Sequence, residues 1–215
     1  MIISWLGHSC FKLQDKAGAE GITVITDPFD KKIGLKMPSL EADIVTVSHD
    51  HYDHNNVAAV KNNPYLVNMA GEYDVKGVAI HGIESDHDDK GGKERGKNII
   101  FRFEIDDISV THLGDLATTL TDAQLEVLVG TDILLIPIGG KYTLDAKKAV
   151  EVISQIEPRI VIPMHYKTPD LAMDDLDGLE KFIKEFGVKP TEEQKLKISK
   201  KDLPQEDMEL VILSM

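Results

Sequence analysis

Short apolar segments with strand-like composition recur through the first half of the chain. They are rich in Val, Ile and Thr and are separated by polar or glycine-containing stretches, a pattern typical of β-strands. The segments predicted as strands are IISWL, GITVIT, DIVTVS, YLVNM, GVAIHGI, NIIFRFEI and ISVTHL.

The second half alternates helical and strand patterns. Thr121 opens TDAQLEVLV and Gln124 follows three residues later, which is the spacing of a helix capping box. Helices are also predicted within 143–156 and within 174–187, the latter ending at Gly187. The strands DILLIPI, PRIVIPM and MELVIL alternate with these helices. We therefore expect an α/β fold, a four-layer αββα sandwich with two mixed sheets and helices outside.

The length of the chain favours one domain over residues 1–215, and no Pro-, Gly- or Ser-rich linker divides it. The one irregular stretch is 85–98, which is charged and glycine-rich. The single cysteine, Cys10, excludes a disulfide framework and a cysteine-based zinc site. We expect Cys10 to be a small core residue.

The formal net charge of −13 is not offset by any block of Lys or Arg. Such a chain would repel a nucleic-acid backbone, so we expect no nucleic-acid partner. A small phosphorylated substrate stays open, since bound divalent cations reverse the local field. No apolar run approaches the roughly 20 residues that span a bilayer, so no membrane insertion and a cytoplasmic location are expected. Homo-oligomerisation is left open.

The segment SHDHYDH carries the most informative chemistry. It holds three histidines and two aspartates within six residues, directly after a predicted buried strand. In an extended segment His49 and His51 would point the same way and could bind one ion. Asp53 and His54 follow where DHNNVAAVKNN resembles the first turn of a helix, and would face a second point. The string therefore predicts two metal ions.

Three other histidines follow predicted strands, where α/β folds assemble their sites: His87, His112 and His165. Asp115 lies just past a strand in HLGDL, on a turn that contains a glycine. A carboxylate placed between two cations can bridge them. His81, inside a strand pattern, is expected to be structural.

Together, SHDHYDH, HLGDL and PMHY resemble the metallo-β-lactamase superfamily, and WLGHSCF, TDPF and IPIGGKYTLD resemble its hydrolases related to ascorbate phosphate lactonases. The resemblance implies an αββα sandwich with a two-metal site at one edge. Its first metal would be held by His49, His51 and a third histidine. Its second would be held by Asp53, His54 and His165, with Asp115 bridging.

Spacing allows either His87 or His112 as the third histidine, and the resemblance favours His87. His112 would then orient a ligand or substrate. Asp27 and His8 match positions close to the metals, and a metal-bound imidazole needs an acceptor for its other N–H. Both are predicted to contact the metal ligands and hold them in place, without binding a metal themselves.

Histidine and carboxylate donors suit Zn²⁺, although Mn²⁺, Fe²⁺ and Ni²⁺ accept the same atoms. The expected activity is that of a hydrolase in which a hydroxide shared by two metal ions attacks a small ester, lactone or phosphoester. Asp53 or His112 would deliver the proton to the leaving group. A small-molecule substrate is the expected partner.

Two alternatives stay open. A phosphodiesterase of small nucleotides or phospholipid head groups could use the cations of the polar loop, which are Lys90, Lys93, Arg95 and Lys97. A non-catalytic metal-binding module is the other. Residues 88–97 contain three glycines and no apolar residue, so we expect a mobile flap beside the metals that governs substrate choice.

Overall fold

Two β-sheets form the body of the molecule in the computed structural model, which describes residues 1–15 and 21–215. The first sheet is mixed, because three of its neighbouring pairs are antiparallel and two are parallel. In spatial order its six strands are β15 (Leu196–Lys197), β1 (Ile2–Gly7), β2 (Cys10–Gln14), β3 (Thr23–Thr26), β5 (Ile44–Thr46) and β7 (Tyr65–Val67).

The second sheet has eight strands and is also mixed. Parallel pairs join β11 through β13 to the C-terminal strands, and antiparallel hairpins join β8 through β11. In spatial order its strands are β14 (Thr191–Glu193), β16 (Glu209–Leu213), β13 (Ile160–Met164), β12 (Ile133–Pro137), β11 (Ile108–His112), β10 (Lys97–Ile105), β9 (Val78–Asp86) and β8 (Gly71–Val75). A separate pair joins β4 (Leu40–Glu41) to β6 (Val60–Lys61).

The described residues form three α-helices, α1 (Asp122–Leu128), α2 (Ala146–Ile156) and α3 (Leu179–Phe186). The predicted capping box is present, since Thr121 accepts from the Gln124 N–H and Gln124 accepts from the Thr121 N–H. Asp145 caps α2, and Gly187 ends α3 in a left-handed conformation at φ 74°. None of the helices in these described regions is long and apolar enough to cross a membrane.

The hydrophobic core is divided into two clusters by the six-stranded sheet. The larger cluster joins the inner faces of both sheets to buried residues of all three α-helices. It contains strand residues such as Phe101 and helix residues such as Val152 and Phe182. Strand β1 contributes through strict alternation, whereas β12 is buried along its whole length, as expected for a central parallel strand. The mixed α/β fold class is thereby confirmed.

The smaller cluster lies on the other face of the six-stranded sheet and contains Cys10, as predicted, with Phe29 and Leu176. No described α-helix contributes to it. A 3-10 turn, Lys31–Ile33, and the irregular segment that contains Leu171 cover this face instead. The outer layer here is therefore built from loops, which differs from the helical layer predicted.

Candidate metal centre

The histidine-rich segment lies in the loop that follows β5. It is a series of bends and turns, not the extended segment expected, and the N–H groups of His54 and Asn55 both donate to the His51 carbonyl. The helix predicted to begin near Asp53 is also wrong, since only a 3-10 turn, Val57–Ala59, follows. The turn at His51 brings the pairs His49/His51 and Asp53/His54 to neighbouring positions.

One carboxylate oxygen lies at the centre of the site. Oδ2 of Asp115 faces the Nε2 atoms of four histidines, which come from both sheets. The distances are 3.2 Å to His165, 3.4 Å to His54, 3.4 Å to His87 and 3.8 Å to His49. This is the arrangement expected of a carboxylate that bridges two cations.

The ligand atoms separate into overlapping groups, in each of which all atoms lie within 4.8 Å of one another. These groups are His49, His51 and His87; His8, Asp53, His54 and His165; and His49, His54 and Asp115. The facing Nε2 atoms of His49, His54 and His165 are buried and have no hydrogen-bond partner. Such unpaired buried nitrogens are costly without a bound ion, so the donor set fits divalent cations.

Asp27 fixes the orientation of two of these histidines through their Nδ1 atoms, on the side away from the site. Its Oδ2 accepts from Nδ1 of His54 at 2.8 Å and from the Ser48 hydroxyl at 2.6 Å. Because the Ser48 proton is directed to Asp27, the Ser48 oxygen accepts from Nδ1 of His49 at 2.9 Å. In its neutral form each imidazole therefore carries its proton on Nδ1 and presents an Nε2 lone pair to the site.

A second support holds Asp115. The Asp115 N–H donates to Oδ1 of Asn98 at 2.9 Å, and the Asn98 amide donates to the Leu113 carbonyl. Gly114 lies between them at φ 56°, and a Cβ there would come within 2.2 Å of Asn98 Oδ1. Only glycine fits this position. Neither Ser48 nor Asn98 was predicted; Ser48 could have been noticed as the hydroxyl residue directly before the motif.

His8 contacts the opposite side of the cluster. Its Nε2 lies 3.2 Å from Oδ2 of Asp53, and its ring centroid is 4.0 Å from that of His165. The backbones of His8, Asp27 and His165 are all left-handed, at φ 53°, 40° and 52°. Such conformations in residues other than glycine concentrate at functional sites, where the surrounding structure enforces them.

Burial and the neighbouring carboxylates act in opposite directions on the imidazoles. Burial and the neighbouring His54 lower the pKa of His49 to about 2, and burial lowers the pKa of His87. Burial would also lower the pKa of His54, but Asp115 and Asp27 outweigh it and raise that pKa well above its ordinary value. Burial alone would raise the pKa of Asp115, but His165 and His54 outweigh it and hold that pKa well below its ordinary value. A cation bound by His54 would therefore replace a proton on its ring.

The two candidates for the third histidine lie in different surroundings. His87 follows β9 and joins the group of His49 and His51. His112 is fully buried, its Nε2 donates to the Ser9 carbonyl, and its Nδ1 accepts from the Gly114 N–H. Both ring nitrogens of His112 are therefore engaged in hydrogen bonds to the backbone. His81 lies apart from the cluster, near Glu72.

A cavity of about 460 Å³ opens onto this cluster. Its lining includes His51, Asp53, His87, Asp115 and His165. Further residues complete the wall: Asp50, Tyr52, Arg95, Tyr142 and Met173. This volume is in the range of small-ligand sites.

Comparison with solved structures supports the fold described above. A crystal structure of a Thermotoga maritima protein of the metallo-β-lactamase superfamily is 37% identical, covers 99% of this chain and 97% of its own, and superposes with a TM-score of 0.79. A metallo hydrolase of Ignicoccus hospitalis, 22% identical, covers 86% and 90% with a TM-score of 0.63 and shares the fold.

The sequence comparisons give the family. Residues 2–165 match the β-lactamase superfamily domain. A UPF0173 metal-dependent hydrolase of Methanosarcina mazei is 30% identical over 211 residues, covering 84% of this chain and 90% of the relative. The chain belongs to the β-lactamase superfamily and, within it, to the UPF0173 family of these relatives. The resemblance seen in the sequence motifs is thereby confirmed.

Proposed function

We propose that the protein is a dinuclear metal-dependent hydrolase of small esters, lactones or phosphoesters. The observation that carries this proposal is the position of Asp115, whose Oδ2 faces four histidine nitrogens at 3.2 to 3.8 Å. Two cations beside this carboxylate would satisfy the unpaired Nε2 atoms of His49, His54 and His165. The relatives named as metal-dependent hydrolases support the same conclusion.

In the proposed assignment, the first cation is held by His49, His51 and His87. The second is held by Asp53, His54 and His165, and Asp115 bridges the two. His8 and Asp27 hold Asp53 and His54 in place through the contacts described above. His112 has no direct role in the chemistry.

Zn²⁺ is the proposed metal. All the donors are imidazole nitrogens and carboxylate oxygens, which zinc binds well at four-coordinate sites. The Thermotoga maritima protein has been provisionally named a Zn-dependent hydrolase. Mn²⁺, Fe²⁺ and Ni²⁺ accept the same donors, so metal analysis decides among them.

When bound, the two cations would lower the pKa of a shared water and polarise the substrate oxygen. The reaction adds the hydroxyl of water to a carbonyl carbon or phosphorus and breaks the bond to the leaving oxygen, which takes up a proton. We assign the proton transfer to Asp53, which lines the cavity. Burial would raise the Asp53 pKa, but its hydrogen bond with His8 outweighs this, so the resting group is a carboxylate that can accept a proton.

Metal analysis of matched variants tests the proposal. His51→Ala and His165→Ala each remove one nitrogen from a different proposed cation site. Both variants should lose bound metal, and hydrolysis of chromogenic lactones, esters and phosphodiesters should fall by more than ~100-fold, the upper end of losses from supporting residues alone. Metal content is measured by mass spectrometry after reconstitution with zinc.

His81→Ala is the control, because it removes a histidine that lies outside the cluster. It should leave metal content and activity nearly unchanged. At most one ion per reconstituted chain would contradict the dinuclear proposal. Two ions with no turnover across the whole panel would support the non-catalytic metal-binding module, and turnover of phosphodiesters alone would support the phosphodiesterase.

A further inference from the structure

The loop of residues 88–97 beside the cluster is organised by one carboxylate. Asp88 is buried, and four backbone N–H groups converge on its two oxygens. Oδ1 accepts from Lys90 at 2.8 Å and Gly92 at 2.9 Å, and Oδ2 accepts from Glu94 at 2.9 Å and Arg95 at 2.8 Å. Burial would raise the pKa of Asp88, but these donors hold it well below its ordinary value. The loop therefore has a polar anchor where the sequence offered no apolar one; its mobility stays a prediction.

The cations of this loop differ in their surroundings. Lys90 pairs with Glu94 at 2.5 Å, and Lys97 pairs with Asp86 at 2.6 Å. Lys93 is exposed and does not line the cavity. These three lysines are therefore either already paired or absent from the cavity lining.

Arg95 is different because it lines the cavity itself. Its guanidinium carbon lies 4.4 Å from the centre of the Tyr142 ring. Among the described residues no ion pair within 4.0 Å joins its guanidinium to a carboxylate. Stacking on an aromatic face leaves the in-plane N–H donors of a guanidinium free to bind another group.

Both partners of this stacked pair are held from outside the cavity. The backbone N–H of Arg95 donates to Oδ2 of Asp88, and the Tyr142 hydroxyl donates to Oδ2 of Asp175 at 2.5 Å. The Arg95 backbone and the aromatic ring that its guanidinium contacts are thus held by carboxylates that do not line the cavity. A group fixed before binding loses little entropy when a ligand arrives.

We infer that Arg95 is the anion-recognising residue of this cavity, and that the substrate is a small ester or lactone carrying a carboxylate or phosphate group away from the bond that is cleaved. This inference rests on the proposed function and specifies its substrate class. An oxyanion can accept two parallel N–H bonds from a guanidinium, which gives both affinity and orientation.

The charge distribution supports this assignment. The chain carries a formal net charge of −13, and Asp50, Asp53 and Asp115 line the cavity. Arg95 is the only Lys or Arg in the described lining. An anionic substrate therefore needs a local attraction in this otherwise acidic molecule, and Arg95 supplies one that is separate from the cations.

The test compares two esters with the same leaving group and similar length. Mono(para-nitrophenyl) glutarate carries a free carboxylate, and para-nitrophenyl butyrate carries none. Arg95→Met should lower the ratio of kcat/KM for the glutarate ester over the butyrate ester by about 10- to 100-fold, the loss expected for a charge-assisted hydrogen-bonded pair. Metal content should equal that of the wild type.

Lys93→Met is the matched control, since it removes a cation from the same loop that does not face the cavity. The ratio should keep its wild-type value in this variant. The phosphonate analogue of the glutarate ester then separates the two anion classes. Whichever of these two esters has the higher kcat/KM in the wild type identifies the anionic group that Arg95 binds.

Binding is measured separately from turnover. Calorimetry with glutarate on the zinc-reconstituted protein should give a Kd that rises about 10- to 100-fold in Arg95→Met and stays constant in Lys93→Met. An equal ratio and an equal Kd in Arg95→Met and wild type would overturn the inference. Failure to hydrolyse either ester, with the Kd difference retained, would count against the proposed function and leave the anion site standing.

Discussion

For single residues, the chemistry of the site depends on which nitrogen each imidazole presents. Asp27 determines this for His54 directly and for His49 through the Ser48 hydroxyl. One buried carboxylate therefore serves a histidine in each of the two proposed cation sites. Its left-handed backbone, at φ 40°, holds it in that position.

Asp27→Asn tests this role with little change in shape, because Asn also tolerates the left-handed backbone. The carboxylate accepts from the Ser48 backbone N–H with Oδ1 and from the Ser48 hydroxyl and the His54 ring with Oδ2, and an amide has only one accepting oxygen, so it cannot make both sets of bonds. Metal affinity should fall by about 10- to 100-fold, as is usual when such supporting partners are lost. Zinc titration against a competing chelator measures the change.

Asp74→Asn provides the comparison, since Asp74 is an exposed aspartate that accepts only from the Gly77 N–H. Its metal affinity should equal that of the wild type. If Asp27→Asn bound zinc as tightly as Asp74→Asn, the orientation of the two histidines would not depend on the carboxylate.

The candidate ligands are easier to find in the sequence than the residues that support them. SHDHYDH is conspicuous because five of its six last residues can ligate a metal. Asn98 lies in a strand and holds Asp115 from 17 positions away, a contact that no local pattern reveals. His87 follows β9 and His112 ends β11, and only the folded chain shows that both nitrogens of His112 are hydrogen-bonded.

Among the secondary structure elements, long apolar segments and capped helices could be predicted. All ten predicted strand segments overlap strands of the structure, and three of the four predicted helices are present. The strands that were not predicted include β14 and β15, which are short and polar and depend on pairing with distant strands. The helix predicted after Asp53 does not form, because the N–H groups of His54 and Asn55 both donate to the His51 carbonyl and make a turn there instead.

Helix α1 offers a stability test at this scale. Thr121→Ala removes the hydroxyl that accepts from the Gln124 N–H. Unfolding free energy should fall by about 1 kcal/mol, the usual value for loss of an N-cap. Urea denaturation followed by circular dichroism measures it.

The exposed Thr119 lies just before this cap, outside the helix. Thr119→Ala should change the stability by less than ~0.5 kcal/mol. Equal stabilities for the two variants would show that Gln124 alone is sufficient, through its side-chain bond to the Glu84 carbonyl of β9.

For the whole molecule, the metal centre joins the two sheets. The six-stranded sheet contributes the loop after β5, and the eight-stranded sheet contributes His87, Asp115 and His165 after β9, β11 and β13. Each proposed cation therefore has ligands from both sheets. Bound metal should stabilise the packing of one sheet on the other.

Chelation should lower the unfolding temperature for this reason. A cation present at 100 times its Kd stabilises a fold by about 2.7 kcal/mol, and each kcal/mol corresponds to roughly 2–4 °C in a domain of this size. The expected drop in Tm is therefore on the order of 5–10 °C, measured by calorimetry. In the double variant His51→Ala/His165→Ala, adding the chelator should leave Tm unchanged; a similar drop in that variant would mean that the chelator acts elsewhere.

The spread of the ligands along the chain also bears on synthesis of the protein. Four of the proposed ligands lie between His49 and His54, but each cation site needs a residue that is translated later, His87 for the first and His165 for the second. His165 follows β13, which pairs with β12 and then with β16. A ribosome must therefore complete most of the polypeptide before the proposed second site is assembled, and a metal at that site would be acquired only late in the making of the molecule.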